Sequence, residues 1–92
     1  MSTTALVLGV EAARASLSQL GDYDEIVVLD SDVAALEALV SELADPRLDY
    51  MLGSLPVLPM PDDSVDVLVG ADPADPEVVR VLRPGGRVVS AK

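Results

Sequence analysis

Four short runs are mostly apolar: residues 5–9, 26–30 and 65–70, and residues 87–90 around Val88 and Val89. They are rich in Val and Leu and do not alternate with polar residues. A half-solvated antiparallel strand would alternate, so these runs predict parallel strands buried on both faces. Residues 48–52 mix polar and apolar positions and predict a fifth strand, near an edge of the sheet.

Helical spacing lies between the runs. Residues 11–20 are Ala-rich, place Ala13, Leu17 and Leu20 on one face, and stop at Gly21. Residues 33–43 place Val33, Leu36, Val40 and Leu43 on one face. Asp32 is their N-cap, and Asp45-Pro46 ends them. Residues 76–82 form a short third helix, with Asp75 as its cap, Pro76 in its first turn and Pro84-Gly85-Gly86 as its stop. Residues 55–64 carry three prolines and two adjacent aspartates and read as a loop. Strands alternating with helices specify an α/β fold with a parallel sheet and right-handed crossovers. No repeat or linker divides the chain, so residues 1–92 form one domain.

Composition narrows the chemistry. The core must be aliphatic: there are 15 Val, 14 Leu and 11 Ala, against two Tyr and no Phe or Trp. With no Cys and no His, thiolate nucleophiles, imidazole bases and Cys or His metal ligands are excluded. The acids cluster as Asp62, Asp63 and Asp66, and as Asp72 and Asp75, in no EF-hand spacing, so no dedicated metal site is expected. No run is long enough to span a membrane and no leader pattern opens the chain, which makes the cytoplasm the expected location. The net charge of −10 disfavours nucleic acid as a partner. Arg80 and Arg83 read as a helix end complementing its dipole, rather than as a site for an acidic partner.

Two segments are more specific. Leu58-Pro59-Met60-Pro61-Asp62-Asp63-Ser64-Val65-Asp66-Val67-Leu68-Val69 and Glu77-Val78-Val79-Arg80-Val81-Leu82-Arg83-Pro84-Gly85-Gly86-Arg87-Val88-Val89 stand in the right order. A third, Val28-Leu29-Asp30-Ser31-Asp32, lies upstream. On these segments the chain resembles the class I S-adenosylmethionine-dependent methyltransferases, of the methyltransferase type 11-like kind. The resemblance runs from Ala5 to Ala91. It implies a minimal Rossmann-like three-layer sandwich: a five-stranded parallel sheet of order 3-2-1-4-5 with about three helices.

The resemblance also locates a cofactor site, at Gly9, Val10 and Glu11 after the first strand, Asp30 and Ser31 after the second, and Ser54 and Leu55 after the third. Asp30 falls where the family's acid accepts the ribose hydroxyls. The alternative for Asp30 is a strand-end acid that helps cap the following helix. The family's glycine-rich loop is altered: Val7-Leu8-Gly9-Val10-Glu11-Ala12-Ala13 keeps one glycine of three. Glu11 puts bulk and negative charge where the amino-acid end of the cofactor would lie, and it would repel a dinucleotide pyrophosphate. Ser54 replaces the acid that meets the adenine amino group. The segment after the fourth strand, Gly70-Ala71-Asp72-Pro73-Ala74-Asp75-Pro76, offers no aromatic, His or Asn to build an acceptor site.

These departures imply a degenerate, non-catalytic methyltransferase-like domain, binding S-adenosylmethionine weakly or not at all and serving as an oligomeric scaffold or regulatory subunit. The alternative is a minimal methyltransferase that still binds the cofactor and acts within an oligomer. A partner is expected on independent grounds. Right-handed crossovers put the first two helices on one face, leaving the other to the short third helix and the proline-rich loop. Val88 and Val89 lie on an open edge. A second copy, as a homodimer, or another protein subunit would cover these surfaces.

Overall fold

Valine and leucine runs pair side by side, as their lack of alternation requires. The computed structural model describes residues 3–16, 20–21, 23–42, 46–53 and 57–89. In chain order the elements are β1 (Thr4–Leu8), α1 (Val10–Ser16), β2 (Glu25–Asp30), α2 (Val33–Glu42), β3 (Leu48–Leu52), β4 (Val65–Val69), α3 (Pro76–Val81) and β5 (Leu82–Val89). All five strands are parallel, in the order β3-β2-β1-β4-β5, as expected. The central strand β1 pairs Ala5 with Ile26 on one side and Val67 on the other.

Successive side chains feed two separate cores. Ala5, Val7, Ile26, Val28, Val67 and Val69 pack with Val10, Ala13, Leu36 and Leu39 of α1 and α2. Leu6, Val27, Leu29 and Leu68 pack with Leu58, Val78 and Val81 on the opposite face. That second face is covered by α3 and residues 57–64, the thin layer read from the sequence, but Leu6, Val27, Leu29 and Leu68 are already buried within the chain, so this part of the face does not need the outside cover expected for it. The β4–β5 register shifts between Val65 and Val67, and Val65 packs with the second set.

Three local expectations are corrected. The buried positions of α2 are Leu36 and Leu39, while Val33 and Val40 are about half exposed, at 50% and 48%. The stripe through Val33 and Val40 therefore faces outward; Leu43 lies outside the described residues, as does Leu17 of the first helix. Strand β5 begins at Leu82 directly after α3, not at residue 87. Leu82 pairs with Val65 and Arg87 with Val67, so Pro84-Gly85-Gly86 loops out within β5 instead of ending the helix. Finally, Arg80 and Arg83 form tertiary ion pairs and do not merely complement a helix dipole.

Arg80 is the centre of a clip. Its guanidinium donates to Glu77 Oε2 at 2.6 Å, to Asp62 Oδ1 at 2.7 Å and to the Leu58 carbonyl at 3.0 Å. Glu77 Oε1 accepts from Leu58 N at 2.9 Å. Together with the Asp75 cap on Glu77 N, these bonds lock residues 58–62 onto α3 and hold Leu58 in the core. Arg83 bonds Asp66 Oδ2 at 2.8 Å, and the same oxygen accepts from Thr4 N at 2.7 Å, fixing the start of β1. Arg47 serves the far side, donating to the carbonyls of Leu20, Gly21 and Tyr23.

Two predictions follow from this packing. Leu39→Ala removes a fully buried side chain and should cost about 2–5 kcal/mol in urea unfolding, whereas Val40→Ala should change it by about 0.5 kcal/mol or less. The reverse ranking would restore the stripe read from the sequence. The Arg80 guanidinium, then Leu58 N–H, hold the Glu77 carboxyl at about 2, below its ordinary 4.5. A depressed carboxyl stabilises the fold above its unfolded pKa, so the contribution is complete above about pH 4.5 and fades as pH falls towards about 2. Thermal midpoints measured across that window should flatten in Glu77→Gln.

Candidate functional site

The carboxyl ends of β1, β2 and β4 meet on one edge of the sheet, where the chain must turn away into helices and loops. Gly9 makes the first turn. Its φ is +102°, a conformation costly for a residue with a Cβ. Its N–H donates to the Leu29 carbonyl at 2.7 Å, which ties the ends of β1 and β2 together. Gly70 ends β4 with φ +88°, and a Cβ there would come within 2.9 Å of the Leu8 carbonyl oxygen. Two glycines thus let backbone form the floor between adjacent strands.

Asp30 stands at the end of β2. Its Oδ2 accepts from Val10 N at 2.9 Å, and its Oδ1 accepts from Asp32 N at 3.0 Å. The Val10 bond foremost, then the Asp32 bond, lower its pKa and keep it ionised. Asp30 thus caps α1 and only assists the following helix α2, by holding the N–H of Asp32, which itself caps α2 by accepting from Ala34 N and Ala35 N. Each Asp30 oxygen keeps acceptor capacity for a further hydrogen bond.

A cleft of about 730 Å³ opens above this floor, lined by Gly9, Val10, Glu11, Asp30 and Asp32, with Gly70, Arg14 and Ala35. A smaller recess of about 200 Å³ continues from Gly9 and Asp30 to Ser31 and Gly53. The structure therefore brings Gly9, Val10, Glu11, Asp30 and Ser31 to one place. Ser54 and Leu55 lie outside the described residues. Val10 contributes its N–H, its side chain being buried in the core. Glu11 lines the cleft with a side chain 95% exposed, 3.6 Å from the Arg14 guanidinium. Arg14 in turn bonds Glu42 of α2 at 2.9 Å.

Gly53, Gly70 and Arg14 were missed from the sequence. Gly70 carried a usable signal: it follows an apolar strand, and ligands of open parallel sheets bind beyond the carboxyl ends of the strands. Arg14 carried none, because only the packing of α1 on α2 turns it towards the cleft. Of the downstream aspartates, Asp62 pairs with Arg80 and Asp66 with Arg83, while Asp72 and Asp75 accept from the backbone N–H groups of Ala74 and Glu77. Among the described residues no group of three carboxylates is arranged for a metal ion, and no helix is long and apolar enough to cross a membrane.

Known proteins share this frame. An uncharacterized methyltransferase of Mycobacterium tuberculosis is 39% identical over 72 residues, 70% of this chain but 29% of the relative. The same figures hold for an uncharacterized methyltransferase of Mycobacterium bovis. The chain thus matches less than a third of the length of these curated relatives. A methyltransferase in complex with the Haloferax volcanii Trm112 methyltransferase activator superposes with TM-score 0.81 at 24% identity, over 97% of this chain and 44% of that one. An S-adenosylmethionine-dependent methyltransferase from Mesorhizobium loti gives TM-score 0.77 at 21% identity, over 97% of this chain and 46% of that one. No family model matches the chain.

The two floor glycines can be told apart by substitution. Gly9→Ala meets no atom within 4 Å and should cost only backbone strain, about 1–3 kcal/mol. Gly70→Ala adds a backbone clash and should cost more. Chemical denaturation of the two variants checks the order.

Proposed function

We propose that this chain, which has the class I S-adenosylmethionine-dependent methyltransferase fold, is a nucleoside-binding core that does not carry out methyl transfer unaided. The observation that carries the reading is Asp30: an ionised carboxylate at the end of β2, in a cleft of nucleoside size, with acceptor capacity left on both oxygens. A ribose diol presents two O–H donors at a spacing one carboxylate can accept. Gly9 and Gly70 let the ligand lie against backbone, and the recess towards Ser31 and Gly53 suits a flat base. S-adenosylmethionine, when bound, would supply an electrophilic methyl group. The residues here would orient it; transfer rests on alignment with an acceptor more than on an acid or base.

The cleft is open, and residues 70–76 present aspartates, prolines and alanines beside it, with no aromatic or amide group to grip an acceptor. A wall for the acceptor would come from further protein. A second reading, a cofactor-free scaffold held by a partner, draws on β5, which is an edge strand, and on the Haloferax neighbour, which is bound to an activator protein.

A ¹⁵N–¹H NMR titration with S-adenosylmethionine and S-adenosylhomocysteine separates the two. The binding reading expects shifts at Gly9, Val10, Asp30, Ser31 and Gly53, and at least a tenfold loss of affinity in Asp30→Asn with the fold intact by circular dichroism. No shifts at millimolar ligand would leave only the scaffold, and light scattering would then report whether the chain self-associates.

A further inference from the structure

Charge in the cleft is lopsided. Among the described residues, three carboxylates line it, Glu11, Asp30 and Asp32, against one guanidinium, Arg14. Arg14 is already committed, to Glu42 at 2.9 Å and to Glu11 at 3.6 Å. Glu42 lies outside the lining, so it neutralises the one cation without relieving the cleft. The whole chain, at −10, adds to the same field. Glu11 lines the cleft with its side chain 95% exposed, so its carboxylate can turn towards a bound group.

Resting on the nucleoside reading above, we infer that the cleft selects nucleosides whose 5′ substituent is cationic and carries no anion. An ammonium near Glu11 meets a partner. A phosphate or free carboxylate meets repulsion, and the guanidinium that could offset it is held by Glu42. Glu11, which looks like damage to a glycine-rich loop, is on this view a specificity-determining residue. The preferred ligand class is an aminoalkyl nucleoside. S-adenosylmethionine, with a sulfonium but also a carboxylate, ranks below it.

The test uses adenosine, 5′-amino-5′-deoxyadenosine and adenosine 5′-monophosphate, titrated into the 92-residue chain at low salt and followed by NMR. Solvent-exposed charges at low salt change affinity by roughly up to fivefold each. The amine should therefore bind about two- to fivefold tighter than adenosine, and the monophosphate weaker by about as much. Roughly 1 M salt should compress this order. Glu11→Gln should move the amine-to-adenosine ratio towards one. If the three bind alike, or if Glu11→Gln leaves the ratio unchanged, the inference is overturned and the nucleoside site stands. If none binds, both fall together.

Discussion

Burying one strand on both of its faces is the constraint on which this molecule rests. Ala5, Leu6 and Val7 of β1 are fully buried. A strand so placed needs a hydrogen-bonded neighbour on each side and a layer above and below. The neighbours are β2 and β4, and the layers are α1 with α2, and α3 with residues 57–64. In a core without Phe or Trp, cover comes from many small contacts. The layer carrying only a short helix is reinforced by charge, through the Arg80 clip. Aliphatic burial sets the architecture, and charge-assisted hydrogen bonds fasten the thinner side.

The cleft follows from the same arrangement. Reversal of strand order beside β1 separates the chain's exits from β1 and β4, and a crevice opens between them. Gly9 and Gly70 floor it, and Asp30 reaches it from the next strand. Asp30 has two duties: it satisfies the first N–H of α1 and stays charged at the crevice. A residue with a structural role in the free protein is pre-organised for a ligand, because its position costs nothing further on binding. Placing a carboxylate on backbone donors also removes the need for a neighbouring cation to keep it ionised.

How much of this was legible depended on what kind of signal each residue carried. Strands β1, β2 and β4 were plain, since an unbroken Val and Leu run has few other uses in a chain of this size. Gly9 and Asp30 were singled out by the resemblance, not by the runs themselves, and the structure places both at the ends of β1 and β2. The face of α2 was not plain: Val33, Leu36, Leu39 and Val40 are all apolar, and two stripes fit the helical period. Packing chose Leu36 and Leu39, and hydropathy alone could not. The start of β5 was hidden by Pro84-Gly85-Gly86, which reads as a breaker but lies within an irregular strand. Arg80 and Arg83 looked like a local helix end because their partners, Asp62 and Asp66, are distant in sequence.

The pairing of β1 also governs the order in which the chain can assemble. Ala5 meets Ile26 early, but its other neighbour, Val67, lies 62 positions away. On a ribosome, β1, β2 and β3 emerge before β4 exists. Through that interval the most apolar strand has one bare side. Sheets closed by such distant pairings fold slowly and expose sticky edges while they wait. Residues 1–64 carry 12 acids against two arginines, and like charge of that kind disfavours association between unfinished chains while the sheet is open.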